Sequence, residues 1–168
     1  MNPKISSRRA VVINGEMKAF LESGVSVVVG TRDMGLVPEI VRAWGPVISE
    51  DRRSISLCVA QAASARTLDN LSTIGRISVV FTLPTNVQSV QLKGRWIETT
   101  EADAAALAAV ERHLEAFASL NERIGMPRRV VETFWKRELE TSPVLVRVRF
   151  VPEQIFNQTP GPDAGSRL

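Results

Sequence analysis

The amino-acid sequence predicts an α+β domain, predominantly β, in which about six mostly antiparallel strands curl into a split β-barrel with helices inserted between hairpins. Three observations carry this prediction. Short runs of alternating apolar and polar residues fill positions 25–59 and return at 76–98. The period becomes helical over 61–74, 100–124 and 127–137. The chain has 168 residues, 44% of them hydrophobic and 23% charged, enough to bury one core without disulfides or a structural metal. A single domain over 1–168 is expected, with an N-terminal arm over 1–13 and a Pro/Gly-rich tail over 158–168.

A short helical lead-in over 15–22 precedes the first strand, in which Val25, Val27 and Val29 alternate with Ser26, Val28 and Gly30. Asp33-Met34-Gly35 turns the chain into a second strand over 37–49, with Gly35 read as the positive-φ residue of the turn. Arg42 and Trp44 share one face of that strand. A third strand covers 54–59. In the segment 61–74, Ala65, Leu68 and Leu71 recur at helical spacing, Ser64 stands as the N-cap and Gly75 as the stop. Strands resume over 76–83 and 88–98 around Pro84-Thr85-Asn86. Thr100, followed by Glu101, Asp103 and an alanine-rich run, reads as a helix start. Its apolar stripe is Leu107, Val110, Leu114, Phe117 and Ile124, which leaves His113 at the boundary or exposed. A shorter helix over 127–137 and a last strand over 144–150 complete the order. Beyond Phe156 the Pro/Gly-rich tail is expected to form neither helix nor strand.

Composition removes several classes of function. The pI is near 9.6 but the net charge is only +3, and the arginines stand in scattered pairs, not in the stripe a nucleic acid requires. With no tyrosine and 5% aromatics, a base-stacking surface is also unsupported. No run approaches the roughly 20 apolar residues of a membrane-spanning helix. The basic start is followed by an apolar stretch too short for a signal peptide. The single cysteine, Cys58, excludes an intramolecular disulfide and a cysteine-cluster metal site, and fits a reducing, cytoplasmic setting. It sits in a strand-like run, far in sequence from the one histidine, and is read as a packed side chain.

Three stretches together resemble the pyridoxamine 5'-phosphate oxidase-like family of FMN-binding split barrels. These are residues 25–33 with Val41-Arg42-Ala43-Trp44-Gly45, then Ala65-Arg66-Thr67-Leu68-Asp69-Asn70-Leu71 leading to Gly75-Arg76-Ile77, and Ser89-Val90-Gln91-Leu92-Lys93-Gly94. The ending Phe156-Asn157-Gln158-Thr159-Pro160-Gly161-Pro162 resembles one branch of that family. The resemblance implies FMN as cofactor, a homodimer that shares the site, and a flavin-dependent oxidoreductase acting with a small redox substrate or nicotinamide reductant.

It further implies that Arg42, flanked by Ala43 and Trp44, and the helix start Ala65, Arg66 and Thr67 hold the phosphate. Guanidinium forks and free helix amides suit a phosphate monoester. Thr67 replaces the lysine common in the oxidase itself. Ser89, Gln91 and Lys93 share one face of the fifth strand and are assigned to phosphate or ring. Gln88 is the alternative to Gln91 in that register. Trp44 and Trp96 are read as core or interface aromatics ahead of flavin-stacking groups. The late tryptophan and arginine-histidine motif of the true oxidase is not found, so oxidation of vitamin B6 is not expected. The alternatives are a non-catalytic flavin-binding or storage protein and a haem- or deazaflavin (F420)-binding relative. Haem is disfavoured because the one histidine lies in a helix.

Overall fold

Alternation places Val27 and Val29 inside a barrel and Ser26, Val28 and Gly30 outside it. In the computed structural model, which describes residues 10–168, six antiparallel strands close in the order β1-β2-β3-β6-β5-β4. The elements are α1 (Gly15–Leu21), β1 (Ser26–Arg32), β2 (Pro38–Ile48), β3 (Ile55–Ala60), α2 (Ala65–Ile74), β4 (Arg76–Thr82), β5 (Ser89–Glu101), α3 (Ala104–Glu122), α4 (Arg128–Thr141) and β6 (Leu145–Asn157). Most of the expected N-terminal arm lies outside the described residues. Leu57, Val79, Phe81, Leu92 and Phe150 fill the interior. Among the described residues, no helix is long and apolar enough to cross a membrane.

The two helical layers have different tasks. The face of α2 bearing Thr67, Asn70 and Leu71 is buried against one end of the barrel, where Asn70 Nδ2 donates to Thr31 Oγ1 over 3.1 Å. Gly75 ends this helix in the left-handed region (φ 68°), its N–H donating to the Leu71 carbonyl. Helices α3 and α4 cover the outer side of β2 and β3. There Trp44, Cys58 and Ala60 pack against Ala106, Val110 and Leu145 in a second apolar cluster outside the barrel. Burial pushes the Cys58 thiol up to about 11, so it stays protonated and behaves as a packed side chain.

Several sequence expectations shift, each for a local reason. The turn after β1 is held by Asp33, whose Oδ1 accepts from Val37 N at 2.9 Å, and the left-handed residue is Leu36 (φ 66°), not Gly35. Ser64 occupies the N-cap position of α2 without a side-chain cap, and the preceding amides of Ala62 and Ala63 donate instead to Ser142 Oγ at 2.8 and 3.3 Å. Strand β5 continues through Thr100, paired with Arg147, and the cap of α3 is Asp103, whose Oδ1 accepts from Ala106 N at 2.8 Å.

Strand β6 runs past Phe150 to Asn157. The pairing of β5 with β6 shifts register between Lys93 and Gly94, where Gly94 faces Pro152 and Lys93 faces Gln154. Glu153 is the extra residue of this bulge. A Cβ on Gly94 would stand 2.2 Å from the Val151 carbonyl oxygen, so the crossing requires glycine there.

The apolar stripe of α3 is also displaced. Leu107 and Ile124 are exposed, while Ala106, Ala109, Val110, His113 and Ala118 are buried. Small residues dominate because α3 lies directly on β2. A Cβ on Gly45, itself at φ 59°, would come within 2.7 Å of Val110 N. His113, expected at the boundary, is 4% exposed. Its Nδ1 accepts from Gly45 N over 3.2 Å and its Nε2 lies 2.8 Å from the Val25 carbonyl oxygen. An amide can only donate and a carbonyl only accept, so the ring is the neutral tautomer with its proton on Nε2.

Candidate functional site

The barrel's outer surface is covered unevenly. Helices shield β2 and β3, whereas the outward residues of β1, β4 and β5 face an open groove of about 520 Å³, within the roughly 300–1,000 Å³ range of cofactor sites. Register defines its floor. Gly30 on β1 pairs with Ser78 on β4, and Ser78 pairs with Lys93 on β5. Gly30 leaves a notch in this floor, because the positions that a Cβ would meet first, Ser78 O and Ser78 Cβ, are 3.8 and 4.0 Å away. Glu39 and Ile40 of β2 form one wall and Gln154 of β6 closes the other. The ammonium of Lys93, which lines the groove, stands 5.0 Å from the centre of the Phe156 ring in a cation–π contact.

The polar network around the floor is well defined. Gln91 Nε2 donates to Ser78 Oγ over 2.8 Å, and Gln91 Oε1 accepts from Gln158 Nε2 over 3.1 Å. Ser89 is 8% exposed, shares a 2.9 Å hydrogen bond with Thr82 Oγ1, and receives the tail through Thr159 Oγ1, which accepts from Ser89 N at 3.0 Å. At the rim, Glu153 accepts from Arg76 at 2.7 Å, with Arg95 3.7 Å from its other oxygen.

Of the residues singled out in the sequence, Lys93 lines this groove, Gln91 touches it only through its hydrogen bond to Ser78 with Ser89 further along the strand, and Gln88 is exposed near the β4–β5 turn. Arg66, 69% exposed at the start of α2, lies beyond the Glu39 wall with its Nε 3.4 Å from Glu39 Oε2, and Ala65 is exposed beside it. Asp33 and Asp69 border the same corner, so the helix start is more acidic than the pattern Ala65-Arg66-Thr67 suggests.

Three expected members do not join this group. Ala43 points into the barrel core, and Trp44 is buried beneath α3 and α4. Arg42 extends over the Trp44 ring at 5.7 Å, into a separate cavity of about 240 Å³ lined also by Phe117, Phe134 and Glu138. Burial raises the Glu138 carboxyl, opposed by the Trp44 indole and Arg42. Trp44 Nε1 has no hydrogen-bond partner among the described residues.

Thr67 is fully buried, unlike Ala65 and Arg66 before it, and its Oγ1 has no hydrogen-bond partner among the described residues. Because valine matches its shape without the orphaned hydroxyl, Thr67→Val is expected to stabilise the fold by about 1 kcal/mol. Thermal melts of the two proteins check this, and an unchanged or lower midpoint would mean that the hydroxyl is satisfied.

Sequence reasoning missed Gly30 and Ser78. A glycine in the interior of a strand signals a close approach of another group, and that signal was available at Gly30.

No sequence-family model matches the chain, and no curated protein does. Solved structures do. An F420 reductase superposes with a TM-score of 0.54 at 10% identity, covering 82% of this chain and 94% of its own. A candidate pyridoxamine 5'-phosphate oxidase from Lactobacillus delbrueckii gives 0.52 at 13% identity, with coverages of 86% and 93%. An FMN-binding protein from Syntrophomonas wolfei gives 0.50 at 11% identity, with 83% and 81%. At such identities the likeness establishes the architecture: the chain has the split-barrel fold of the pyridoxamine 5'-phosphate oxidase-like proteins.

Proposed function

We propose that the groove over Gly30, Ser78 and Lys93 binds FMN and that the protein is a flavin-dependent oxidoreductase. The carrying observation is the glycine-floored groove on the open side of the barrel, in a fold that an FMN-binding protein and an F420 reductase share. The residues fit the ring better than the phosphate. The floor is flat at Gly30, with Ser78 and Lys93 supplying polar groups along one edge and Gln91 holding Ser78 from behind. For the phosphate, the exposed Arg66 at the start of α2 is the cation this reading assigns, since Arg42 borders a separate cavity and Thr67 is buried. When bound, the flavin supplies the redox chemistry, and the protein's part is to hold, orient and shield the ring.

A second copy of the chain is the proposed cover. Ile40 is 68% exposed, Met34 and Leu36 stand out at the β1–β2 turn, and Val28 and Val80 are half-buried on the same open side. A two-fold homodimer would bury them, this being the commonest closed symmetry.

Titration of purified protein with FMN, riboflavin and F420 tests the reading. FMN is expected to raise the melting temperature by mass action and riboflavin to bind more weakly. Arg66→Ala is expected to cost about 1.5–3 kcal/mol of FMN affinity, the range of a charge-assisted hydrogen bond, and to leave riboflavin affinity unchanged. Preference for F420 would replace FMN as the cofactor, and equal affinity for FMN and riboflavin would remove the phosphate site. Flavin that binds but is not reduced by a nicotinamide cofactor would favour a storage role. Light scattering with and without FMN reads the dimer, and a monomer holding FMN at full affinity would refute the shared site.

A further inference from the structure

Beyond Asn157 the chain does not leave the barrel. Gly165 N donates to Asn157 O over 2.7 Å, Leu168 N to Ile155 O over 2.9 Å, and Phe156 and Arg167 form an antiparallel bridge, so the tail returns along β6. At its start, Gln158 N donates to Ser89 O over 2.8 Å and Ser89 N to Thr159 Oγ1 over 3.0 Å. The backbone at Gln158 is therefore fixed against β5, and its side chain is delivered to Gln91.

Gln158 Nε2 donates to Gln91 Oε1. With its oxygen so engaged, Gln91 turns its Nε2 towards Ser78 and donates to Ser78 Oγ. An amide nitrogen has no acceptor capacity, so Ser78 must accept in this bond and keeps its single hydroxyl proton for another partner. Ser78 stands on the groove floor between Gly30 and Lys93. Its proton is consequently available to an acceptor inside the groove.

We infer that the C-terminal tail, through Gln158 and Gln91, orients the Ser78 hydroxyl as a hydrogen-bond donor to the bound ring, selecting ligands that present a carbonyl or unprotonated ring nitrogen at that point. The inference rests on the flavin reading above, since the oxidised isoalloxazine carries such acceptors along its polar edge. Ser78 is the contacting residue, and Gln91 and Gln158 are positioning residues. The direction of the chain matters. If Gln158 became a pure acceptor, Gln91 would turn over, Ser78 would donate to Gln91 Oε1, and the groove would lose its donor.

Gln158→Glu makes that reversal with nearly unchanged shape. In titrations of riboflavin, which isolates the ring, Ser78→Ala and Gln158→Glu are each expected to lower affinity roughly three- to tenfold, the worth of one hydrogen bond. Gln158→Glu is expected to cost nothing further once Ser78 is alanine. Additive losses, or full affinity in either single variant, would overturn the relay. Side-chain amide NMR of the ligand-free protein supplies a readout that does not depend on flavin. Cross-relaxation between the Gln91 Nε2 protons and the Ser78 Hβ protons is expected in the wild type and is expected to weaken in Gln158→Glu. A wild-type protein that shows this signature but takes up no flavin refutes the flavin reading alone. A signature unaffected by Gln158→Glu refutes the relay.

Discussion

Gly30→Val is expected to abolish flavin binding while leaving the barrel folded. Gly30 points outward from β1 at the centre of the groove floor, and nothing within 3.8 Å obstructs an added Cβ. Its φ lies outside the left-handed region, and a β-branched residue suits a strand, so the backbone gains order without strain. The valine methyls would rise between Ser78 and the Ile40 wall, in the space a flat ring needs. A clash built into the floor is expected to lower flavin affinity by at least about a hundredfold, with Gly30→Ala intermediate. Calorimetric titration reads the affinity and circular dichroism melts confirm the fold. Wild-type affinity in Gly30→Val would move the ligand off this groove. Gly94 is no substitute as a probe, because its Cβ would strike the Val151 carbonyl and disturb the barrel itself.

The strands were legible because alternation reports which side of a sheet a residue occupies, and β1 to β4 fall close to the predicted runs. What alternation cannot report is which part of a barrel's outer surface another element covers. Arg42 and Ser78 are both outward by parity, yet Arg42, itself exposed, borders the cavity beside the α3–α4 layer and Ser78 faces the groove. The resemblance groups Arg42, Ala43 and Trp44 with Arg66, and strand parity alone offers nothing to separate them.

Thr67 illustrates a different limit. The resemblance assigns it to the phosphate with Ala65 and Arg66, whereas Thr67, Asn70 and Leu71 share the i, i+3, i+4 spacing of a buried face. That face plugs the barrel end. The bulge at Glu153 and the return of the tail depend on contacts between β5 and β6, about 60 residues apart in sequence, which no local pattern encodes.

His113 is expected to control both the magnitude of stability and its dependence on pH. The ring joins three elements, since it sits on α3, accepts from Gly45 at the bend of β2, and donates to Val25 at the entrance to β1. His113→Ala would open a cavity and leave Gly45 N and Val25 O unpaired, at a cost of roughly 3–5 kcal/mol. Desolvation pushes its pKa below the ordinary 6.5, partly opposed by the hydrogen bond to Val25. The folded state therefore resists a proton that the unfolded chain accepts. Stability from the neutral ring is complete above about pH 6.5 and declines as pH falls from there towards the lowered folded value. Glu138, raised by burial, has the opposite sign, since the folded state holds its proton more tightly and loses stability as pH rises through its window. The comparison is therefore best made in a Glu138→Gln background. Because His113 is the only histidine, denaturant melts at pH 7.5 and 5.5 isolate its contribution. The Glu138→Gln protein is expected to lose stability between them, and His113→Phe in that background to lose markedly less. An equal loss in both proteins would show that His113 does not carry the proton linkage.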